Sequence, residues 1–375
     1  MSDFTAKIDA AANLFKSENF EDAERAYKEI LDELEKNPES IELKAKALIG
    51  LAGCLREQLF FDEAIPFYEE AQKLRPTDKE SLMGLADSYR GLKHWDKAMD
   101  YWKMILKLEP QDYLVMTRIG DAYRKRGDFE NAEKYYLMSL DVNSKNKFAL
   151  MGIGDLYYKN KKYNRALEFW KKLLEINPRF INILTMVGNV YRIWKQFDKS
   201  IEYYQKALEI DRNNFYALYG IADSLRGKGR YKDSLKYWRK ILRNEPENER
   251  ILTRLGDCLI RIGKYPEAEE TYKQVLKGSY NKYAVIGMIR IKLEAKDYDK
   301  ATTVSREYLT RFPNDQRVVL LLAKIYEEGG QGEKALEVFE TYKTVFKDKK
   351  EFMSRLASST IEHFQSSIEE LDENE

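Results

Sequence analysis

Ser81-Leu82-Met83-Gly84-Leu85-Ala86-Asp87, Ala149-Leu150-Met151-Gly152-Ile153-Gly154-Asp155 and Ala217-Leu218-Tyr219-Gly220-Ile221-Ala222-Asp223 are one phrase written three times, each 68 residues after the last. A tryptophan follows each at the same offset (Trp102, Trp170, Trp238), and then a proline (Pro110, Pro178, Pro246). Between them stand phrases with a different accent: Thr117-Arg118-Ile119-Gly120-Asp121, Thr185-Met186-Val187-Gly188-Asn189 and Thr253-Arg254-Leu255-Gly256-Asp257. These carry Tyr136, Tyr204 and Tyr272 where the first set carries tryptophan. Self-similarity at a fixed period decides architecture ahead of any single residue. Residues 79–281 are therefore built from a unit of 34 residues, paired into a larger period of 68.

Within the unit, small and aromatic residues recur at fixed positions. Residues 79–112 place Ala86, Tyr89, Trp95, Ala98, Trp102 and Pro110 at positions 8, 11, 17, 20, 24 and 32. Residues 113–146 place Gly120, Tyr123, Phe129, Ala132 and Tyr136 likewise, with Ser144 in place of the proline. This pattern resembles the tetratricopeptide repeat (TPR), and the resemblance extends over nearly the whole chain. It implies an all-α fold: a right-handed superhelical solenoid of about ten helix-turn-helix units. The units read as 4–44, 45–78, 79–112, 113–146, 147–180, 181–214, 215–248, 249–281, 282–315 and 316–349. The first is stretched, the eighth is shifted by Gly278-Ser279-Tyr280, and the ninth is degenerate in its first helix. Phe352, Leu356, Ile361, Phe364 and Ile368 give 350–368 one apolar helical face, suited to cap the array. Residues 369–375 are too charged to pack and are expected to be disordered.

Paired helices follow from spacing. In 113–146, Leu114, Ile119, Ala122 and Tyr123 fall on one side of a helix, and Phe129, Ala132, Tyr135, Tyr136 and Leu140 on one side of the next. Alanine at position 20 allows close helix approach while the rings at 17 and 24 fill the gap. One hairpin cannot bury its apolar face alone, so neighbours must stack.

Hydrophobic residues at 43% beside charged residues at 34% fit a folded, water-facing helical protein rather than a disordered one. The N-terminus has no basic and apolar leader pattern, and no run approaches the ~18 apolar residues of a membrane span. These features lead us to expect a cytoplasmic protein. Cys54 and Cys258 both fall at position 10, a small buried slot, and are expected to be reduced core residues. The net charge of +1 hides segregation: residues 1–44 hold 6 basic and 12 acidic side chains, residues 350–375 hold 2 and 7, and the middle holds 56 and 44. That pattern fits solvated helix faces, an acidic partner, or charge-assisted association between copies.

The only histidines, His94 and His363, have no metal-ligand spacing, and no Gly-rich phosphate loop follows a strand. The expectation is no enzyme, no metal and no cofactor. Basic residues interleave with acids instead of forming a stripe, so neither nucleic acid nor membrane is expected as a partner.

TPR resemblance implies that positions 2, 5, 9, 12 and 13 of each first helix line a concave groove that binds another protein or an extended peptide. Position 9 is Asp87, Asp121, Asp155, Asn189, Asp223 and Asp257 in successive central units, and position 12 is Arg90, Arg124, Tyr158, Arg192, Arg226 and Ile260. Positions 9 and 12 share one helical face. These rows read either as a self-neutralising ladder or as hydrogen-bonding groups for a ligand. Arg118, Tyr219, Arg250 and Arg254 complete the candidate groove, with Gly84, Gly152 and Gly220 alternating with Arg118, Met186 and Arg254 at position 6 as quasi-equivalent subsites. Phe148 and Tyr216 bring rings towards the same surface. One TPR subclass grips a C-terminal carboxylate. Asn189, Arg254 and Arg250 match parts of that clamp in 181–281, while Thr185 and Gly220 depart from it. The competing reading is a self-associating structural protein.

Overall fold

A computed structural model describes residues 3–36 and 40–358. Among these residues the chain is all helix, without a strand. Packing divides it into two compact units, residues 1–178 and 179–375.

The first unit holds α1 (Asp3–Lys16), α2 (Phe20–Lys36), α3 (Ile41–Glu57), α4 (Phe61–Leu74), α5 (Lys79–Gly91), α6 (Trp95–Leu108), α7 (Tyr113–Arg126), α8 (Phe129–Val142), α9 (Lys147–Lys159) and α10 (Tyr163–Ile176). The second holds α11 (Ile181–Ile193), α12 (Phe197–Ile210), α13 (Phe215–Gly227), α14 (Tyr231–Leu242), α15 (Glu249–Arg261), α16 (Tyr265–Gly278), α17 (Lys282–Glu294), α18 (Tyr298–Arg311), α19 (Gln316–Glu328), α20 (Gly332–Thr341), a 3-10 turn (Lys343–Val345) and α21 (Lys349–Ser358). Nearly all consecutive helices within a unit pack as neighbours, and α1 with α3, α3 with α5, α7 with α9, α11 with α13, α15 with α17 and α19 with α21 touch as well. That is the stacking of a solenoid.

Each first helix starts on a side-chain cap where the sequence supplies one. Asp112 accepts from the backbone N–H of Leu114 and Val115, and Asn214 from that of Ala217, satisfying donors that a helix start leaves open. Within every hairpin the chain reverses through one left-handed residue at position 15 of the 34-residue frame. Glycine fills it at Gly127, Gly229, Gly263 and Gly330, but Lys93, Lys161, Lys195 and Lys296 also adopt it, with φ of 55–61°. Repeated geometry thus prevails over residue preference.

The core is built from the rings and alanines that recur at fixed positions of the 34-residue frame. Trp102, Trp170, Trp238, Tyr136, Tyr204 and Tyr272 are the largest fully buried side chains, and Ala98, Ala132, Ala166 and Ala268 are wholly inaccessible. A buried polar knot ties α7, α8 and α9 where the proline of position 32 is missing. Asn146 Nδ2 donates to Thr117 Oγ1 and Ser139 Oγ at 2.8 Å each.

Some details depart from expectation. α3 begins at Ile41, capped by Ser40, four residues ahead of the expected boundary at 45, because Ser40 offers a cap that the consensus position does not. α17 departs from the family signature in sequence but is a regular helix of 13 residues, nine of them buried. The capping helix forms as α21 against α19, with Phe352 fully buried at 5.1 Å from the Phe346 ring and 5.4 Å from that of Phe339. Its expected continuation over 359–368 and the acidic tail 369–375 lie outside the described residues. Cys54 and Cys258 are buried free thiols whose pKa burial pushes up to about 12 and about 11. Among the described residues, no helix is long and apolar enough to cross a membrane.

Candidate partner-binding face

Positions 2, 5, 9 and 12 lie three or four apart, so they share one face of each first helix. On α9 that face carries Phe148, Met151, Asp155 and Tyr158, and on α13 it carries Tyr216, Tyr219, Asp223 and Arg226.

The polar side chains at position 9 are held in two different ways, according to the ring at position 24. Where position 24 is tyrosine, the hydroxyl reaches across the hairpin and donates to position 9. Tyr136 bonds Asp121 at 2.6 Å, Tyr204 bonds Asn189 at 2.7 Å and Tyr272 bonds Asp257 at 2.7 Å. Where position 24 is tryptophan, no hydroxyl is available, and the carboxylate turns to arginines instead. Asp87 pairs with Arg118 of the following hairpin and, at 3.4 Å, with Arg90. Asp223 pairs with Arg192 of the preceding hairpin at 2.8 Å and with Arg226 at 2.8 Å. Burial opposes the charge of Asp223, yet Arg226, Arg192 and Arg254 together hold its carboxyl below the ordinary range.

Asp155 breaks this pattern. Tyr158 occupies its arginine position and packs 5.5 Å from both the Trp170 and Tyr163 rings. Asp155 Oδ1 is buried without a hydrogen-bond partner among the described residues, and the carboxyl has only the Trp170 indole and Arg124 to favour its charge. Burial pushes the Asp155 carboxyl up against the pull of Arg124. A group whose folded pKa is raised weakens the fold above that pKa. Asp155→Asn is therefore expected to raise the melting temperature at neutral pH and to lose that advantage in acid. Thermal melts at two pH values check it.

The remaining candidates take definite places. Arg124 donates to both Asp121 and the Tyr136 hydroxyl at 3.0 Å. The Tyr219 ring stands edge-on to Trp238 at 5.2 Å, with the Arg250 guanidinium 5.2 Å above it. Asp257 is half-buried, Ile260 is core, and Arg254 is only 4% exposed. Phe148 and Tyr216 are open to solvent at 64% and 69%. His94 sits at the start of α6, its ring 6.3 Å from Tyr89.

Family models described as tetratricopeptide repeat match residues 8–79, 83–147, 148–180, 181–214, 219–283 and 292–351. The chain belongs to the tetratricopeptide repeat family. Its fold resembles the C-terminal part of a TPR repeat-containing protein from Cytophaga hutchinsonii, at 16% identity and a TM-score of 0.57, over 64% of this chain and 99% of that one. A TPR protein from Parabacteroides merdae is similar at 20% identity and a TM-score of 0.48, over 65% and 97%. YrrB, a TPR protein with an unusual peptide-binding site, is similar at 20% identity and a TM-score of 0.41, over 50% and 95%. No curated protein matches the sequence at a significant level. TPR proteins are, as a family, protein-interaction scaffolds, and this chain is one by fold.

In TPR terms, the glycines at position 6 are not subsites. A Cβ on Gly152 would lie 2.6 Å from Cζ of Tyr136, and one on Gly220 would lie 2.1 Å from Cζ of Tyr204. Each glycine is the bed on which the previous hairpin's tyrosine ring rests. The alternation of Gly with Arg or Met at position 6 therefore follows the alternation of Tyr with Trp at position 24. This is packing, and the reading of quasi-equivalent subsites gives way to it. The carboxylate clamp also loses its members. Asn189 is held by Tyr204 and Arg254 is engaged with Asp223, so the clamp's members are already committed within the fold.

Proposed function

We propose that this TPR chain is a non-catalytic adaptor that takes an extended segment of another protein along the faces of its first helices. The observation that carries the reading is the pair of exposed rings, Phe148 and Tyr216, at position 2 of α9 and α13. Solvent-facing aromatics beside fixed polar rows are the usual anchors of a protein interface, because they bury large area with few torsions to freeze. Each unit offers its own ring: Phe148 in the first, Tyr216 in the second. The polar groups beside them are already pinned by internal bonds, so they present a preorganised surface that a ligand meets at low entropic cost.

Selection of binders from a displayed random-peptide library tests this. Peptides that bind the wild type are expected to weaken at least tenfold on Phe148→Ala or Tyr216→Ala, roughly the 1.4 kcal/mol or more that an anchor ring supplies. Circular dichroism should show both variants unchanged, since both side chains are exposed. Selected peptides indifferent to both substitutions would move the binding face away from the first helices.

A further inference from the structure

The first helices of the second unit bring together more arginines than aspartates. Arg192, Arg226, Arg254, Arg290 and Arg317, one from each of α11, α13, α15, α17 and α19, surround two aspartates. Asp223 is shared by Arg226, Arg192 and Arg254. Asp257 is the carboxylate whose field reaches both Arg290 and Arg317, and it already accepts the Tyr272 hydroxyl.

Arg290 concentrates the imbalance. It occupies position 9, where α13 and α15 carry aspartate, and it is only 5% exposed. Its Nε has no hydrogen-bond partner, and among the described residues no carboxylate lies within ion-pair distance of it. Glu294, one turn further along α17, is exposed. Asp315 is committed to the backbone N–H groups of Arg317 and Val318 and to the Tyr308 hydroxyl. A buried guanidinium without an ion-pair partner is costly to the fold, and a carboxylate supplied from outside relieves that cost. Planar guanidinium groups match planar carboxylates in paired hydrogen bonds.

We propose that the face of α15, α17 and α19, centred on Arg290, binds a carboxylate-rich acidic segment of a partner protein. This rests on the adaptor reading and gives its second unit a ligand class. Arg254, Arg290 and Arg317 come from three successive first helices, so their charges are spread over neighbouring hairpins. A run of glutamates on an extended chain can meet several of them, where a single small anion meets one.

The test is fluorescence anisotropy of a labelled oligoglutamate with the full chain, beside an oligolysine of equal length. Oligoglutamate is expected to bind, to weaken as salt rises, and to weaken at least tenfold on Arg290→Met, while oligolysine stays free. Arg290→Met is also expected to melt at or above the wild-type temperature, because it removes a buried uncompensated charge at similar volume. Arg317→Gln, on a half-buried residue, should weaken the peptide as well without depending on the stability of the first variant. The proposal is overturned if the wild type ignores oligoglutamate, if Arg290→Met binds it equally, or if that variant melts lower. Inorganic phosphate displacing the peptide at matched concentration would make this a small-anion site instead. Binding that requires removal of residues 359–375 would assign the face to the chain's own acidic end instead. Library peptides that bind through Phe148 or Tyr216 without acidic character would leave the adaptor reading standing and sink this one.

Discussion

Replacing Asp223 by alanine is expected to cost about 3–5 kcal/mol, the penalty for removing one member of a buried ion cluster and stranding the others. Asp223 accepts Arg226 through Nη2 at 2.8 Å and Nε at 3.1 Å, and Arg192 through Nη1 at 2.8 Å, with only 9% of the residue exposed. Native-state hydrogen exchange should find the loss concentrated in α11, α13 and α15, since a repeat array confines damage to neighbouring hairpins. The same cluster sets a pH dependence. A carboxyl held below its ordinary pKa stabilises the fold fully above the unfolded Asp range and loses that contribution as pH falls through the lower folded value. The wild type is therefore expected to lose stability steeply below the ordinary Asp pKa of 3.8, and Asp223→Ala to show a flatter acid limb. Equal acid limbs in urea titrations across that range would contradict the assignment.

Gly220→Ala should destabilise the same unit by roughly 1–3 kcal/mol through overpacking. The new methyl would stand 2.1 Å from Cζ of Tyr204, a ring that is completely buried and cannot swing away while its hydroxyl is bonded to Asn189. Tyr204→Ala on its own should cost about 3–5 kcal/mol. In the Tyr204→Ala background, however, the added methyl has space, so Gly220→Ala should cost little there. A double-mutant cycle is expected to return a coupling of about 1 kcal/mol or more. Additive costs would mean that the glycine is present for another reason than the ring.

The period, the helix content and most core positions were legible because each rests on a residue type that only one local structure rewards. Alanine at position 20 and rings at positions 17 and 24 mean close helix packing wherever they recur. What the 68-residue alternation does was not legible. Tyrosine and tryptophan look interchangeable as core rings, and only the hydroxyl decides whether position 9 is bonded by the ring across its hairpin or depends on arginines of its own and a neighbouring hairpin. The left-handed turns at Lys93, Lys161 and Lys195 were hidden for the opposite reason, since lysine gives no sign of a positive φ. Among the groove candidates, Arg254 and Asp223 proved to be buried. Exposure depends on the neighbouring helix and not on the residue's own place in the repeat. Arg290 escaped notice because the family signature fades in residues 282–315. Its signal was nonetheless present: an arginine at position 9, where neighbouring units carry aspartate.

If, as proposed, the exposed rings bind while the Asp/Arg rows brace the fold, one comparison separates the two roles. Binding of a selected peptide and urea unfolding would be measured side by side for wild type, Tyr216→Ala and Arg226→Ala. Tyr216→Ala is expected to lose the peptide at unchanged stability, because its ring is 69% exposed. Arg226→Ala is expected to lose stability by more than 1 kcal/mol, because it holds buried Asp223. A stable Arg226→Ala that no longer binds, beside a Tyr216→Ala that binds normally, would reverse the assignment.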